Sequence, residues 1–235
     1  MVMTTSSTPD PTTGVRPDLA EAHQLAWRHV GSPGTWFTAA QRIELAETVL
    51  MAISDEEPLP PWVAFSSSQL AADSLLAPAT AHDIAYRLAR HAGTMTADVH
   101  AAASAEIGEL PYVEVCAIVS TVAAVGHFCR NIGVDVPVFP EPIGGEPART
   151  KPDQIVPAEL NWVPVAAPAD EVAAVVQAYS AVPAEFENTW RMASAQYMPE
   201  EEMIHADWSR RPGGLTRPQT ELVAARVAQL RECFY

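Results

Sequence analysis

Eight prolines fall within residues 134–168 and exclude a regular helix there, because proline lacks the amide hydrogen that a helix needs. On both sides of this interval, Ala-rich stretches carry apolar residues at helical spacing, without a convincing run of alternating β-branched residues. We therefore predict an all-α chain in which a Pro-rich linker, residues 134–168, separates two helical parts, residues 17–133 and 169–235. Residues 1–16 are predicted to form a disordered tail.

Local start and stop signals place the helices more closely. Thr38 and Gln41 form a capping-box pattern, as do Thr216 and Gln219 near the C-terminus, and Gly133 is suited to a left-handed helix end. A weaker version of the pattern, Thr80 with Asp83, precedes another helical stretch. The predicted helices are residues 39–53, 81–91, 94–106, 112–132, 169–180, 184–196 and 199–209, followed by one that begins after Thr216.

Charge and cysteine content limit the partners. The chain has 29 acidic residues against 14 Lys and Arg, a net charge of −15, so we expect it to bind neither nucleic acid nor an anionic membrane surface. Only 18% of its residues are charged, which predicts that part of the surface is hidden in a homo-oligomer. Three irregularly spaced cysteines favour a reducing cytoplasm over a disulfide framework. No membrane segment, metal site or bound cofactor is predicted.

A short pattern with one glutamate in an apolar context opens three of the predicted helices, at Glu44, Glu114 and Glu221. Glu44 is as readily explained as a solvated residue on an amphipathic helix. Twelve residues after Glu221, the chain reaches Cys233. Twelve residues after Glu114 stands Gly126, followed by Cys129 and Gly133 at the same offsets as a Cys-x-x-Cys-x-x-x-His motif would have.

This arrangement resembles the alkyl hydroperoxide reductase D-like (carboxymuconolactone decarboxylase-like) superfamily, in which a helical Glu is followed at that spacing by Cys-x-x-Cys-x-x-x-His. The segments 33–38 and 141–149 resemble proteins of this superfamily more weakly. The resemblance implies tandem helical repeats, the first with a degenerate motif in which Cys129 is structural. It also implies that the second repeat carries the redox motif.

In the family pattern, the second cysteine attacks the hydroperoxide as a thiolate and the first resolves the sulfenic acid to a disulfide. Glu and His form a proton relay that helps to deprotonate the nucleophile. The resemblance thus assigns Glu221 to the relay and Cys233 to the resolving role. The second redox position falls immediately after Tyr235. We hypothesise a selenocysteine read from an in-frame UGA there; the alternatives are a frameshift, a designed truncation or a true pseudoenzyme.

The resulting functional hypothesis is a thiol- or selenol-dependent peroxidase-like oxidoreductase, which takes a hydroperoxide substrate and an external dithiol reductant. The 235-residue chain itself is expected to be inactive. One alternative is a non-catalytic, oligomeric helical scaffold that binds a small apolar ligand or a partner. Another is a carboxymuconolactone decarboxylase-like lyase, because a Glu and a His can do that proton chemistry without paired cysteines.

Overall fold

The computed structural model describes residues 14–55, 75–157, 162–166, 174–198, 202, 214–231 and 233. Most of these residues are helical, and the remaining regular structure is one two-stranded sheet, which confirms the all-α prediction. The helices are α1 (Pro17–Val30), α2 (Ala39–Ser54), α3 (Ala79–His91), α4 (Ala97–Ile107), α5 (Glu109–Ile132), α6 (Ala174–Gln177), α7 (Pro183–Gln196) and α8 (Arg217–Leu230), and the strands are β1 (Ile155–Val156) and β2 (Val165–Ala166).

The two predicted capping boxes are confirmed. Thr38 precedes α2 and Thr216 precedes α8, each exchanging hydrogen bonds with the glutamine three residues on. The left-handed end at Gly133 is also confirmed, with φ 73° and ψ 32°. These features depend only on neighbouring residues, and the sequence pattern was sufficient to place them.

Other boundaries differ from the prediction. α3 begins directly after the extended residue Pro78, and no side chain caps it, so the proposed cap at Thr80 is wrong. α5 begins at Glu109 rather than 112, because Pro111 is tolerated in a first helical turn. The predicted helix 94–106 is instead a 3₁₀ turn, Ala92–Thr94, followed by α4, which Thr96 caps.

The hydrophobic core lies where α2, α3 and α5 pack against one another. Its most fully buried members are small or branched side chains, including Leu45, Val49, Ile118 and Val122. By length and hydropathy alone, α5 could span a membrane. However, 67% of its apolar 18-residue stretch is buried inside the described structure. Such burial is typical of a core helix.

The described part of the Pro-rich interval, residues 134–157 and 162–166, contains no helix, as its prolines predict. Its first half packs along the helical core. The Trp27 ring of α1 stacks on Phe139, with centroids 4.6 Å apart, and its Nε1 donates to the Val138 carbonyl. Further on, β1 and β2 pair antiparallel, with Ile155 opposite Ala166.

Beyond this interval, α7 matches the predicted helix 184–196 and packs on α1 and α5. Of the predicted helix 169–180, residues 169–173 lie outside the described part, and the described remainder is helical only over Ala174–Gln177. The predicted helix 199–209 lies outside the described residues except for residue 202, which is in a 3₁₀ conformation. No side chain of α8 is buried in the described structure.

Candidate functional site

The two residues assigned to redox chemistry lie on and just after α8. Glu221 is solvent-exposed, accepts a hydrogen bond from the Tyr197 hydroxyl and lies 3.5 Å from Arg217 Nε. Cys233 is a free, exposed cysteine whose backbone N–H donates to the Ala228 carbonyl at the end of α8. Leu230 lies nine positions beyond Glu221 on continuous helix, a rise of about 13 Å. Direct contact between the two side chains along this helix is therefore excluded.

The surroundings of α8 leave an apolar face open. Val223, Val227 and Leu230 follow one another at intervals of four and three residues, so they lie on one side of the helix, and Leu222 borders them. Each of these four side chains is more than half exposed. Arg231, directly after α8, contacts the helical core through a hydrogen bond between its Nη2 and His127 Nε2, 2.7 Å long.

The glutamate of the middle pattern, Glu114, has the opposite environment. It is fully buried and its carboxylate accepts from Arg42 Nη1 at 2.6 Å and from the Trp36 backbone N–H at 2.7 Å. The same Arg42 nitrogen lies 2.6 Å from Glu185 on α7, and Glu185 also bonds His29 on α1 at 2.9 Å. This ion cluster, formed by His29, Arg42, Glu114 and Glu185, joins α1, α2, α5 and α7.

One guanidinium cannot fully compensate two buried carboxylates, and the two groups respond differently. Burial opposes the ionisation of Glu185, but Arg42 and His29 outweigh it and lower the pKa of Glu185 to about 2. For Glu114, burial and the neighbouring Glu185 charge prevail over Arg42, and its pKa is raised. Glu185 is therefore the more readily ionised of the two carboxyl groups that face Arg42.

Segment 33–38, noted in the sequence for its family resemblance, closes over the ion cluster. A Cβ atom on Gly34 would lie 1.9 Å from Glu114 Oε1 and 2.5 Å from Arg42 Nη1, so only glycine fits. The backbone N–H groups of Ala148 and Arg149, in segment 141–149, donate to the carbonyls of Gly34 and Thr35. The Arg149 guanidinium lies 5.6 Å from the centre of the Trp36 ring. The two segments therefore hold each other in place over the buried charges.

The first copy of the pattern has a third environment. The Glu44 carboxylate accepts from the backbone N–H groups of Leu76 and Ala77 and lies 3.0 Å from His82 Nε2. His82 is buried, and its Nδ1 lies 2.8 Å from Thr48 Oγ1. Glu44 thus anchors the approach to α3 instead of being merely solvated, and His82 is hydrogen-bonded within the core.

The two cysteines of α5 are poorly suited to act as nucleophiles. Burial raises the pKa of Cys116 to about 12 and also raises the pKa of Cys129, which lies in the hydrophobic core. At the place of a first motif cysteine, Gly126 packs so closely on α2 that a Cβ would lie 2.6 Å from Ile53 Cδ1. Close packing of α2 on α5 explains Gly126, and burial in the hydrophobic core explains Cys129, without a redox role for either residue. Among the described residues, no cluster of three His, Cys, Asp or Glu side chains could hold a metal ion.

No family model matches the chain, and no significant match is found among curated proteins or solved structures. The superfamily resemblance therefore depends only on the spacing from Glu221 to Cys233 and on the segments 33–38 and 141–149.

The ion cluster contains three residues that the sequence analysis did not single out: His29, Arg42 and Glu185. Arg42 and Glu185 both stand in the first turns of their helices, where charged residues ordinarily face solvent. Only the long-range packing of α7 against α1 and α5 places Glu185 inside the protein. Neither periodicity nor local charge pattern carries that information.

Proposed function

We propose that this protein is a thiol- or selenol-dependent oxidoreductase that reduces hydroperoxides with electrons from an external dithiol. Glu221 serves the proton relay and Cys233 is the resolving thiol. In the family motif that the chain resembles, the residue that attacks the peroxide is a second cysteine, or a selenocysteine in its place, three residues after the resolving thiol. In the overall reaction, ROOH and the dithiol give ROH, water and the disulfide of the donor.

The observation that supports this proposal is the contrast among the three thiols. Cys233 is exposed, whereas burial raises the pKa of both Cys116 and Cys129 and keeps them in the unreactive thiol form. An accessible thiol is required of a residue that must form a disulfide with a neighbouring residue and then exchange it with a donor. Cys233 meets that requirement, and it is also the cysteine placed by the Glu221 spacing.

The test uses the protein purified from its source organism. One equivalent of tert-butyl hydroperoxide is added, remaining thiols are blocked with N-ethylmaleimide, and the three cysteine peptides are quantified by mass spectrometry. We expect Cys233 to lose its maleimide label after peroxide and to regain it after dithiothreitol. Cys116 and Cys129 serve as internal controls and should be labelled only after unfolding. Equal labelling of Cys233 with and without peroxide would refute the proposal.

A second candidate function, a non-catalytic oligomeric scaffold, is favoured by the open face of α8. Four apolar side chains that are more than half exposed on one helix are typical of a surface that another chain covers. The oligomeric state alone does not separate the two candidates, since the oxidoreductase is also expected to be a homo-oligomer. The peroxide response of Cys233 does separate them, because a scaffold leaves that thiol unchanged.

A further inference from the structure

A cavity of about 350 Å³ lies beside the middle of α5; no residue of the ion cluster lines it, and the proposed redox chemistry does not explain it. That volume is at the lower end of the range found for small-molecule sites. Its walls come from α3, α4, α5, the start of the β2 region and the turn after α6. The residues that matter to its chemistry are His100, Tyr112, Cys116, Ser120, Trp162 and Tyr179.

Three of these residues form a polar stripe along one side of α5. Tyr112, Cys116 and Ser120 follow one another at intervals of four residues, so they lie on the same face of α5. The Tyr112 hydroxyl and the Cys116 thiol lie close enough for each to influence the pKa of the other. One turn further on, Ser120 Oγ lies 2.6 Å from the Tyr179 hydroxyl. Ser120 Oγ also donates to the Cys116 carbonyl, so the Ser120–Tyr179 pair keeps lone pairs that can accept a hydrogen bond from a third group.

Every lining residue is uncharged at neutral pH. The cavity wall contains no Asp, Glu, Lys or Arg. Burial raises the pKa of Tyr179 to about 12, also raises the pKa of Tyr112, and lowers the pKa of His100. An ion that entered would lose hydration without meeting an opposite charge, which is costly in an apolar setting. A neutral molecule carries no such cost.

Aromatic rings make up much of the remaining wall. The His100 ring stands edge-to-face on Tyr112, with centroids 4.8 Å apart, and lies 5.7 Å from the Trp162 ring. Trp162 is half exposed, so part of its ring surface is open to an incoming molecule. Aromatic surfaces favour flat aromatic partners by stacking or edge contacts. We propose that this cavity is a binding site for an uncharged, planar aromatic molecule that bears a hydroxyl or N–H group.

The first experiment compares two naphthalene probes on the unaltered protein by isothermal titration calorimetry. 2-Naphthol is neutral at pH 7, whereas 2-naphthoate has the same ring system and a negative charge. We expect saturable binding of 2-naphthol and an affinity for 2-naphthoate at least about tenfold lower, which corresponds to 1.4 kcal/mol. Absence of saturable 2-naphthol binding, which would leave a cavity that holds water only, overturns the proposal. So does equal affinity for the two probes.

A matched pair of variants then tests the location. Ala178 lines the cavity, whereas Ala101 is exposed on α4 and does not. Ala178→Phe should fill the space and weaken 2-naphthol binding about tenfold or more, while Ala101→Phe should leave it unchanged. Circular dichroism establishes that both variants are folded. If Ala178→Phe is unfolded, Trp162→Ala, at the exposed edge, replaces it with the same expected direction. Unchanged binding in the folded variant would place the probe elsewhere, such as the larger cavity beside His23 and Trp27, and would refute the assignment.

Discussion

Arg42 on α2 and Glu185 on α7 are 143 positions apart in the sequence, yet their side chains meet at 2.6 Å inside the protein. The first precedes the Pro-rich interval and the second follows it, so the ion pair connects the two predicted helical parts. Both side chains are almost completely buried. The energetic consequence is that removal of either partner leaves an uncompensated charge in the core.

Replacement of Glu185 should therefore destabilise the protein strongly. We expect Glu185→Gln to lower the free energy of unfolding by about 3 kcal/mol or more, because the buried Arg42 loses its main counter-charge. Glu187 lies on the same helix but is exposed, and Glu187→Gln should change stability by less than about 0.5 kcal/mol. Urea unfolding of the two variants makes the comparison. Equal midpoints would contradict a stabilising role for the ion pair.

The same pair predicts a pH dependence. The pKa of Glu185 is lowered from 4.5 to about 2 on folding, so the stability that its ionisation provides is complete above pH 4.5 and is lost as the pH falls towards 2. The difference in unfolding free energy between the unaltered protein and Glu185→Gln should shrink across that window. Denaturant titrations at several pH values measure it. A difference that stays constant down to the acid limit would show that Glu185 is not held ionised by Arg42.

Gly34 offers an independent test of how closely the chain covers the ion cluster. Gly34→Ala would introduce a methyl group in collision with Glu114 and Arg42, and we expect a loss of about 1–3 kcal/mol, as for other overpacked sites. Gly144→Ala is the matched control, since a Cβ there meets no atom within 4 Å and its φ is not in the left-handed region. Thermal unfolding of both variants is the measurement. A Gly34→Ala protein as stable as the control would contradict the packing.

The apolar face of α8 predicts self-association. Val227→Asp places a charge in the centre of the stripe formed by Val223, Val227 and Leu230, and should shift the protein from oligomer to monomer in sedimentation experiments. Ala225→Asp adds the same charge on the opposite side of α8 and should leave the oligomer intact. A monomeric unaltered protein, or an equal response of the two variants, would show that another surface or partner is involved.

Features that depend on neighbouring residues could be predicted from the sequence, whereas features that depend on residues far away in the sequence could not. The caps at Thr38 and Thr216 and the helix end at Gly133 depend on residues within one turn, and all three were predicted correctly. The helix starts near Thr80 and residue 112 were misplaced because Pro78 and Pro111 determine where each first turn begins.

The buried charges could not be predicted in the same way. The three glutamates with a shared sequence pattern have different environments: Glu44 anchors a loop, Glu114 lies in the ion cluster and Glu221 is exposed. What distinguishes them is the set of neighbours supplied by distant segments, such as Trp36 and Glu185 around Glu114. The local sequence pattern does not predict which distant residues surround each glutamate. The roles of Glu221 and Cys233 remain predictions from spacing and exposure.

The central claim, that Cys233 participates in hydroperoxide reduction, is tested most directly by peroxide turnover. Consumption of tert-butyl hydroperoxide is followed in the presence of dithiothreitol, with the protein and its variants produced in the source organism. A form of the protein that contains the second redox residue should turn over peroxide, as should its Cys116→Ser variant. Its Cys233→Ser and Glu221→Gln variants, and the 235-residue chain alone, should fall to the background rate. Activity that survives in Cys233→Ser, or a form with the second redox residue that is no faster than dithiothreitol alone, would contradict the proposed function.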